Sequence, residues 1–275
     1  MTELPVELDR PVEGELEIPG LLPVLPLKET VVFPESMAPL AIGQERSVRL
    51  VEDVVAGERL LALVTVRDAS VEQPGFDDLY DVGTAALIHK MMKVPDGTLR
   101  VLVQGLSRIR LVRGVEDAPY LVGEIEVVPD VAEESREVEA LTRNVQSLFG
   151  RVIGLLPYLP EELQLAAAAV DDPGALCNLV ASTMRLKTEE KQRLLELADV
   201  EARLREVLGI LNRELEVFEL GSRIQNQVQS ELDKLPKVRG GTGRQYASTR
   251  FEGVISSSRS ATAWTAAIRF RARSI

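Results

Sequence analysis

At residue Pro129 the chain changes its periodicity, and that change constrains its architecture more than any other feature. Residues 22–128 are short runs of Val, Leu and Ile broken by Gly and Pro, whereas residues 132–234 are rich in Glu, Ala, Leu and Gln with few β-branched side chains. Short apolar runs of the first kind bury themselves by pairing into a sheet, and the second composition favours helices. An α+β chain is expected, with the β part first.

Within the β part, strands are expected at 60–66, 82–93, 98–103, 107–113 and 121–128. Val94-Pro95-Asp96-Gly97 separates two of them, and an Asp-Gly pair supplies the positive φ that a tight hairpin needs. Around Gly105 a second change of direction is expected, because Val101 and Val103 alternate before it and Ile109 and Leu111 after it. One helix interrupts the strands at 47–57, where Val48, Val51, Val54 and Val55 recur at helical spacing before Gly57. These segments predict an antiparallel β pseudo-barrel with one inserted helix.

Residues 22–40 are unusual. The strand at 24–27 carries Pro23 and Pro26, each lacking a ladder donor, which predicts a sheet edge or a strand end. The following segment is expected to be a loop, yet it keeps Phe33, Met37 and Leu40 among prolines where a solvated connection would be polar. Such a loop is either tucked beneath the fold or adhesive.

Beyond Pro129, helices are expected at 132–149, 160–169 and 175–184, with Asp171-Asp172 available as caps and Pro173 in a first turn. A long helix opens at Thr188 and continues to Lys234. In it Leu204, Leu208, Leu211, Leu215 and Phe218 recur at spacings of four, three, four and three, the stripe of a bundle helix or of a coiled coil. Pro236 begins a different composition: fourteen of the last forty-one residues are Gly, Ser or Thr. The expected organisation is a flexible leader at 1–21, a β domain at 22–129, a helical bundle with the start of a coiled helix at 130–234, and a disordered or non-native basic tail at 235–275.

Charge narrows the partners. The tail holds eight Lys or Arg against the single acid Glu252, leaving 24 basic and 42 acidic residues, a charge of -18, in the first 234. Acidity of that size opposes broad contact with phosphates or anionic lipid, so neither nucleic acid nor membrane is an expected partner. The N-terminus lacks the pattern of a signal peptide and no run is long enough to cross a membrane, which points to a cytoplasmic protein.

Catalytic chemistry is sparse. Cys177, the only cysteine, sits in an apolar run and reads as a small buried hydrophobe; His89, the only histidine, lies in an expected strand and reads as a partnered imidazole. One His and one Cys do not make an ordinary zinc site, and Gly240-Gly241-Thr242-Gly243-Arg244 lacks the lysine of a phosphate-binding loop. The acid pairs Asp77-Asp78, Glu161-Glu162 and Asp171-Asp172 have capping or solubility explanations. No catalytic, cofactor-binding or metal-ligating residue is expected.

Four segments, Leu22-Pro-Val-Leu-Pro-Leu-Lys-Glu-Thr-Val-Val-Phe-Pro34, Asp78-Leu-Tyr-Asp-Val-Gly-Thr84, Pro95-Asp-Gly-Thr98 and Val101-Leu-Val-Gln-Gly-Leu-Ser-Arg108, closely resemble the N-terminal domain of the ATP-dependent Lon proteases in order and spacing. The likeness extends through Glu214-Leu-Glu-Val-Phe-Glu-Leu-Gly-Ser-Arg to Lys234, covering about residues 20–234. It implies a PUA-like β domain and a helical bundle that capture unfolded or tagged proteins and support hexamer assembly. It does not imply proteolysis by this chain, since the family's ATPase and Ser-Lys protease motifs are not in this sequence. Where the family's coiled helix would continue, this sequence turns to Leu-Pro-Lys-Val-Arg-Gly-Gly and reads as truncated or frame-shifted, so self-association is expected to be weak. A stand-alone adaptor or regulator is the alternative, and a PUA-like RNA binder is disfavoured by charge. A receptor for unfolded chains needs exposed, adaptable apolar groups, and Met37, Pro39, Leu40, Met91 and Met92 are the candidates.

Overall fold

The computed structural model describes residues 6–7, 17–116, 119–133, 135–156, 159–160 and 162–234; the side chains of residues 6–7, 222 and 224–234 are excepted. The expected tail, most of the leader and Glu161 lie outside the described residues. The strands are β1 Val6–Glu7, β2 Leu21–Leu27, β3 Met37–Ile42, β4 Leu60–Thr65, β5 Val82–Lys93, β6 Leu99–Glu116 and β7 Val122–Val127. The helices are α1 Glu45–Ala56, α2 Arg136–Leu155, α3 Glu162–Ala169, α4 Pro173–Thr183, α5 Thr188–Glu196 and α6 Val200–Lys234. Of the described residues, those up to Gly221 form one compact unit and those from Ser222 belong to a second.

The strand order is β1-β5-β4-β2-β7-β6-β3, and an added β5–β6 pairing closes β5, β4, β2, β7 and β6 into a ring. Every pairing is antiparallel except β2–β4, which is parallel, so the sheet is mixed within the expected α+β class. One core draws Leu22, Val24, Ala62, Leu87, Ile109 and Ile125 from all five ring strands; another packs Leu25, Leu61, Ile88 and Val101 against Leu50, Val51 and Val54 of α1. The helix sits there because its valines repeat on one face.

The proline-bearing strand β2 is not at an edge. It lies between β4 and β7, but each neighbour covers only half of it: Leu21–Pro23 pair with β7 and Val24–Leu27 with β4. Val24 N–H donates to Leu121 O and Gly20 O accepts from Ile125 N–H on the β7 side, while Leu27 O accepts from Val66 N–H on the β4 side. Alternation therefore turns the Pro23 nitrogen toward β4 before that pairing begins, and the Pro26 nitrogen toward β7 after that pairing ends. Neither proline interrupts a ladder.

Gly105 is not a turn. Leu99–Glu116 is one 18-residue strand, and a register shift in its pairing lies between Ala85 and Ala86, opposite Ser107 and Gly105. Glycine is needed because a Cβ at 105 would lie 2.1 Å from Phe33 O. The turn at 94–97 forms as expected: Gly97 has φ +87° and Val94 N–H donates to Thr98 O at 2.8 Å. Thr98 donates from its amide and hydroxyl to Asp96, which holds that carboxyl below its usual pKa.

The expected helix from Thr188 is two. Between α5 and α6, the Asp199 carboxylate accepts from Glu201 N–H at 2.9 Å and Ala202 N–H at 3.2 Å, a cap that starts a new helix. Val131 bridges the break, donating to Ala198 O and accepting from Val200 N–H. In α6 the stripe residues Leu204, Leu211 and Leu215 are buried and Leu208 is packed against the same core, which is the bundle-helix outcome for 204–215. Asp172 caps α4 through Ala175 N–H with Pro173 in the first turn.

Val31 and Phe33 of the β2–β3 connection enter that helical core beside Phe149, Leu176 and Leu204. A polar bridge reinforces the join: Asp130 accepts from Arg108 of β6 and Arg203 of α6, Arg203 donates to Asn178 at 3.2 Å, and Arg108 donates to Leu195 O at 2.6 Å. Both arginines are buried, and desolvation pushes the pKa of Arg108 down against the opposing pull of Asp130.

Cys177 lies in the same core with no exposure, and burial pushes its thiol from 9.0 up to about 12. The folded state thus favours the protonated thiol, a contribution present in full below the unfolded pKa near 9.0 and lost as pH rises toward about 12. The native chain is expected to resist a thiol-reactive disulfide at about pH 7 and to react fully once unfolded in guanidinium. Rapid labelling of the folded chain would contradict this placement.

Candidate functional site

The residues singled out from sequence fall on β3, a strand where a loop was expected, and on β5, across β6 from it. Alternation explains why β3 is a strand despite Pro39: Leu40 and Ile42 point into the α1 core, while Met37, Pro39 and Ala41 are exposed. Among the described residues strand β3 ends the sheet, paired only to β6. Gly105 N–H donates to Ser36 O at 2.9 Å, so even-numbered residues hold the ladder and odd-numbered ones turn their backbone groups to the free edge. Pro39 is therefore an edge proline whose missing donor costs no pairing.

Cross-strand register sorts the candidates by face. Ala41, Arg100 and Met92 form one row and Pro39, Leu102 and Lys90 the next, with Met37 opposite Gln104. Met37, Pro39 and Met92 thus share the outer face, where Met37 is 52% and Met92 45% exposed. Leu40, Val101 and Met91 form the row on the opposite face and pack into the α1 core. His89, at a register shift in β5, is partly buried and shares a hydrogen bond of 2.7 Å with Gln104 Oε1.

Two cavities adjoin this face. One of about 410 Å³ lies where Pro34, Ser36 and Met37 meet Ala166, Val170 and Leu179 of the helical part. Another of about 520 Å³ opens between the residue 25–28 flank of β2 and the 39–43 stretch of β3, the side toward which Pro26 presents no donor. Sequence reading missed both, since it treated Met37 to Leu40 as a loop; the alternation of Leu40 and Ile42 with Ala41 was the available signal. Among the described residues no group of three or more His, Cys, Asp or Glu is placed to hold a metal ion. No helix among them is long and apolar enough to cross a membrane.

Among the described residues the exposed face offers apolar side chains, an unpaired strand edge and no nucleophile paired with a base. That arrangement suits binding of extended, apolar polypeptide. Comparison with known proteins agrees with the fold. A family model described as the ATP-dependent protease La (LON) substrate-binding domain matches residues 21–213. The Lon protease of Dictyoglomus thermophilum is 41% identical over 229 residues, 83% of this chain and 29% of that protein. Lon protease 2 of Myxococcus xanthus is 39% identical over 219 residues, 79% of this chain and 26% of that protein. The chain therefore spans less than a third of these relatives. The solved N-terminal domain of the Mycobacterium avium complex Lon protease superposes with a TM-score of 0.60 at 24% identity, over 70% of this chain and 98% of that one, a likeness of fold. On the match that covers most of its length, the chain belongs to the family of Lon substrate-binding domains.

Proposed function

We propose that the chain recognises unfolded or tagged protein segments for a Lon-type ATP-dependent protease, contributing recognition and not peptide hydrolysis. The observation that carries this reading is the gathering of Met37, Pro39 and Met92 on one exposed face beside a free strand edge. Methionine is flexible and polarizable, so such a face adapts to varied apolar sequences, with Lys90 and Arg100 in the same cross-strand rows. Met91 and Leu40 serve the same surface from beneath by filling the α1 core.

The test is binding of a reduced, carboxymethylated model protein, read by fluorescence anisotropy. Met37→Asp with Met92→Asp is expected to weaken it by about tenfold or more, because each places a hydrated carboxylate where apolar surface must dry. Both positions are exposed, so thermal stability is expected to change little, within about 0.5 kcal/mol. Unchanged affinity in the folded double variant would remove the assignment. Leu40 is unsuitable for this test, being only 8% exposed.

A further inference from the structure

The geometry points to strand addition as the mode of recognition: an extended segment of a client pairs with the open edge of β3 and sends alternate side chains into the slot between β2 and β3. The inference rests on the client-binding reading above and names the class of segment taken, one with free backbone amides and an apolar residue at every second position.

Among the described residues the edge of β3 opposite β6 has no partner strand, and the odd-numbered residues turn their backbone groups to it. They present the amides of Met37 and Ala41 as donors and the carbonyls of Met37, Pro39 and Ala41 as acceptors. With six residues the edge is about 20 Å long. A row of backbone donors and acceptors is matched by another extended chain, whatever its sequence. Side-chain alternation gives an added strand two sides. One set of its side chains lies on the outer face with Met37, Pro39 and Ala41. The other set lies on the side of Leu40 and Ile42 and enters the slot of about 520 Å³, whose walls include Leu25, Leu27, Leu40 and Ile42. At the far end of the edge, beyond Met37, the cavity of about 410 Å³ receives a further apolar side chain against Ala166, Val170 and Leu179. An edge that pairs the backbone and pockets that take alternate side chains are the two parts of this mode of binding.

The occupant is a client and not a second copy of this chain. Pro39 stands in the middle of the edge, so two copies pairing about it set proline against proline and neither carbonyl finds a donor. A client residue opposite Pro39 gives its amide to that carbonyl. The molecule itself shows that this sheet accepts a short added strand. Strand β1, two residues long, pairs with β5 at Lys90 and Met91. Those rows run on through Leu102 and Val101 of β6 to Pro39 and Leu40 of β3, where the sheet stands open on its other side.

The experiment titrates the full chain with a labelled peptide of four Ile-Ser repeats and with two N-methylated forms of it, one methylated on the Ile amides and one on the Ser amides. One methylated form is expected to bind at least tenfold weaker than the parent and the other within about twofold, since only one alternate set of amides faces β3. Ala41→Pro, which removes an edge donor and no ladder donor, is expected to weaken the parent peptide about fivefold. Equal binding of the two methylated forms overturns strand addition, and that comparison uses the unaltered chain, so it stands even if Ala41→Pro fails to fold. A dimer in sedimentation that Ala41→Pro returns to monomer would give the edge to a second copy and overturn the assignment as well. The carboxymethylated model protein measured on the same samples separates the two readings: if it binds while the methylated forms do not differ, only strand addition falls, and if it fails to bind, both do.

Discussion

Phe33→Ala is expected to destabilise the chain by about 4 kcal/mol in guanidinium unfolding followed by circular dichroism. Phe33 has no exposure, and although it belongs to the connection between two strands of the β part, its ring fills the helical core with Phe149, Leu176 and Leu204. Removing the ring forfeits its transfer free energy and leaves a void between elements that cannot close independently. The neighbouring backbone is fixed, because Phe33 O accepts from the Ser36 amide and hydroxyl and stands close to Gly105. A domain of this kind is stable by only about 5–15 kcal/mol, so the loss is a large share of the total. Phe33→Leu, which keeps most of the volume, is expected to cost no more than about 1.5 kcal/mol. Equal costs for the two would mean that packing at this point does not join the sheet to the helices.

Asp130→Ala is expected to cost about 3 kcal/mol in the same measurement. Asp130 is the shared acceptor for two arginines whose side chains are 2% and 1% exposed, Arg108 and Arg203. Without it both guanidinium groups remain buried with no counter-charge, and an orphaned buried ion costs more than the intact pair contributes. The cost lies at the lower end for such groups because the Asp130 side chain is itself 33% exposed, so water replaces part of the lost interaction. Replacing all three groups by apolar residues, Arg108→Met, Asp130→Leu and Arg203→Met, is expected to recover much of the loss. A triple variant less stable than Asp130→Ala would show instead that the bridge is net stabilising.

These two effects fall where the sequence was least legible. The hairpin at Gly97, the strand Val82–Lys93, the α1 insertion and the capped start of α4 could all be read locally, because turn chemistry, periodicity and capping act over a few residues. What depended on distant partners could not. Pro23 and Pro26 suggested a sheet edge or a strand end, since nothing in the sequence says that two neighbours each cover half of β2 and leave both prolines on uncovered flanks. Gly105 suggested a turn because the need for a missing Cβ comes from Phe33, which lies far away in sequence. The break at Asp199 was hidden in a helix-favouring composition, and the partner that bridges it, Val131, lies outside the helix. The candidate residues Met37, Pro39, Leu40, Met91 and Met92 were identified by type, but which of them share a face is a matter of register, and register is set by the whole sheet.

Client contact at that face can be observed directly, because the chain has five methionines and they differ in placement. With methyl-labelled methionine, addition of the carboxymethylated model protein is expected to shift or broaden the signals of Met37 and Met92, which are exposed on the outer face. The Met184 signal is expected to stay fixed, since that side chain is 1% exposed in the helical core. Binding that perturbs Met184 while leaving Met37 and Met92 unmoved would contradict the account.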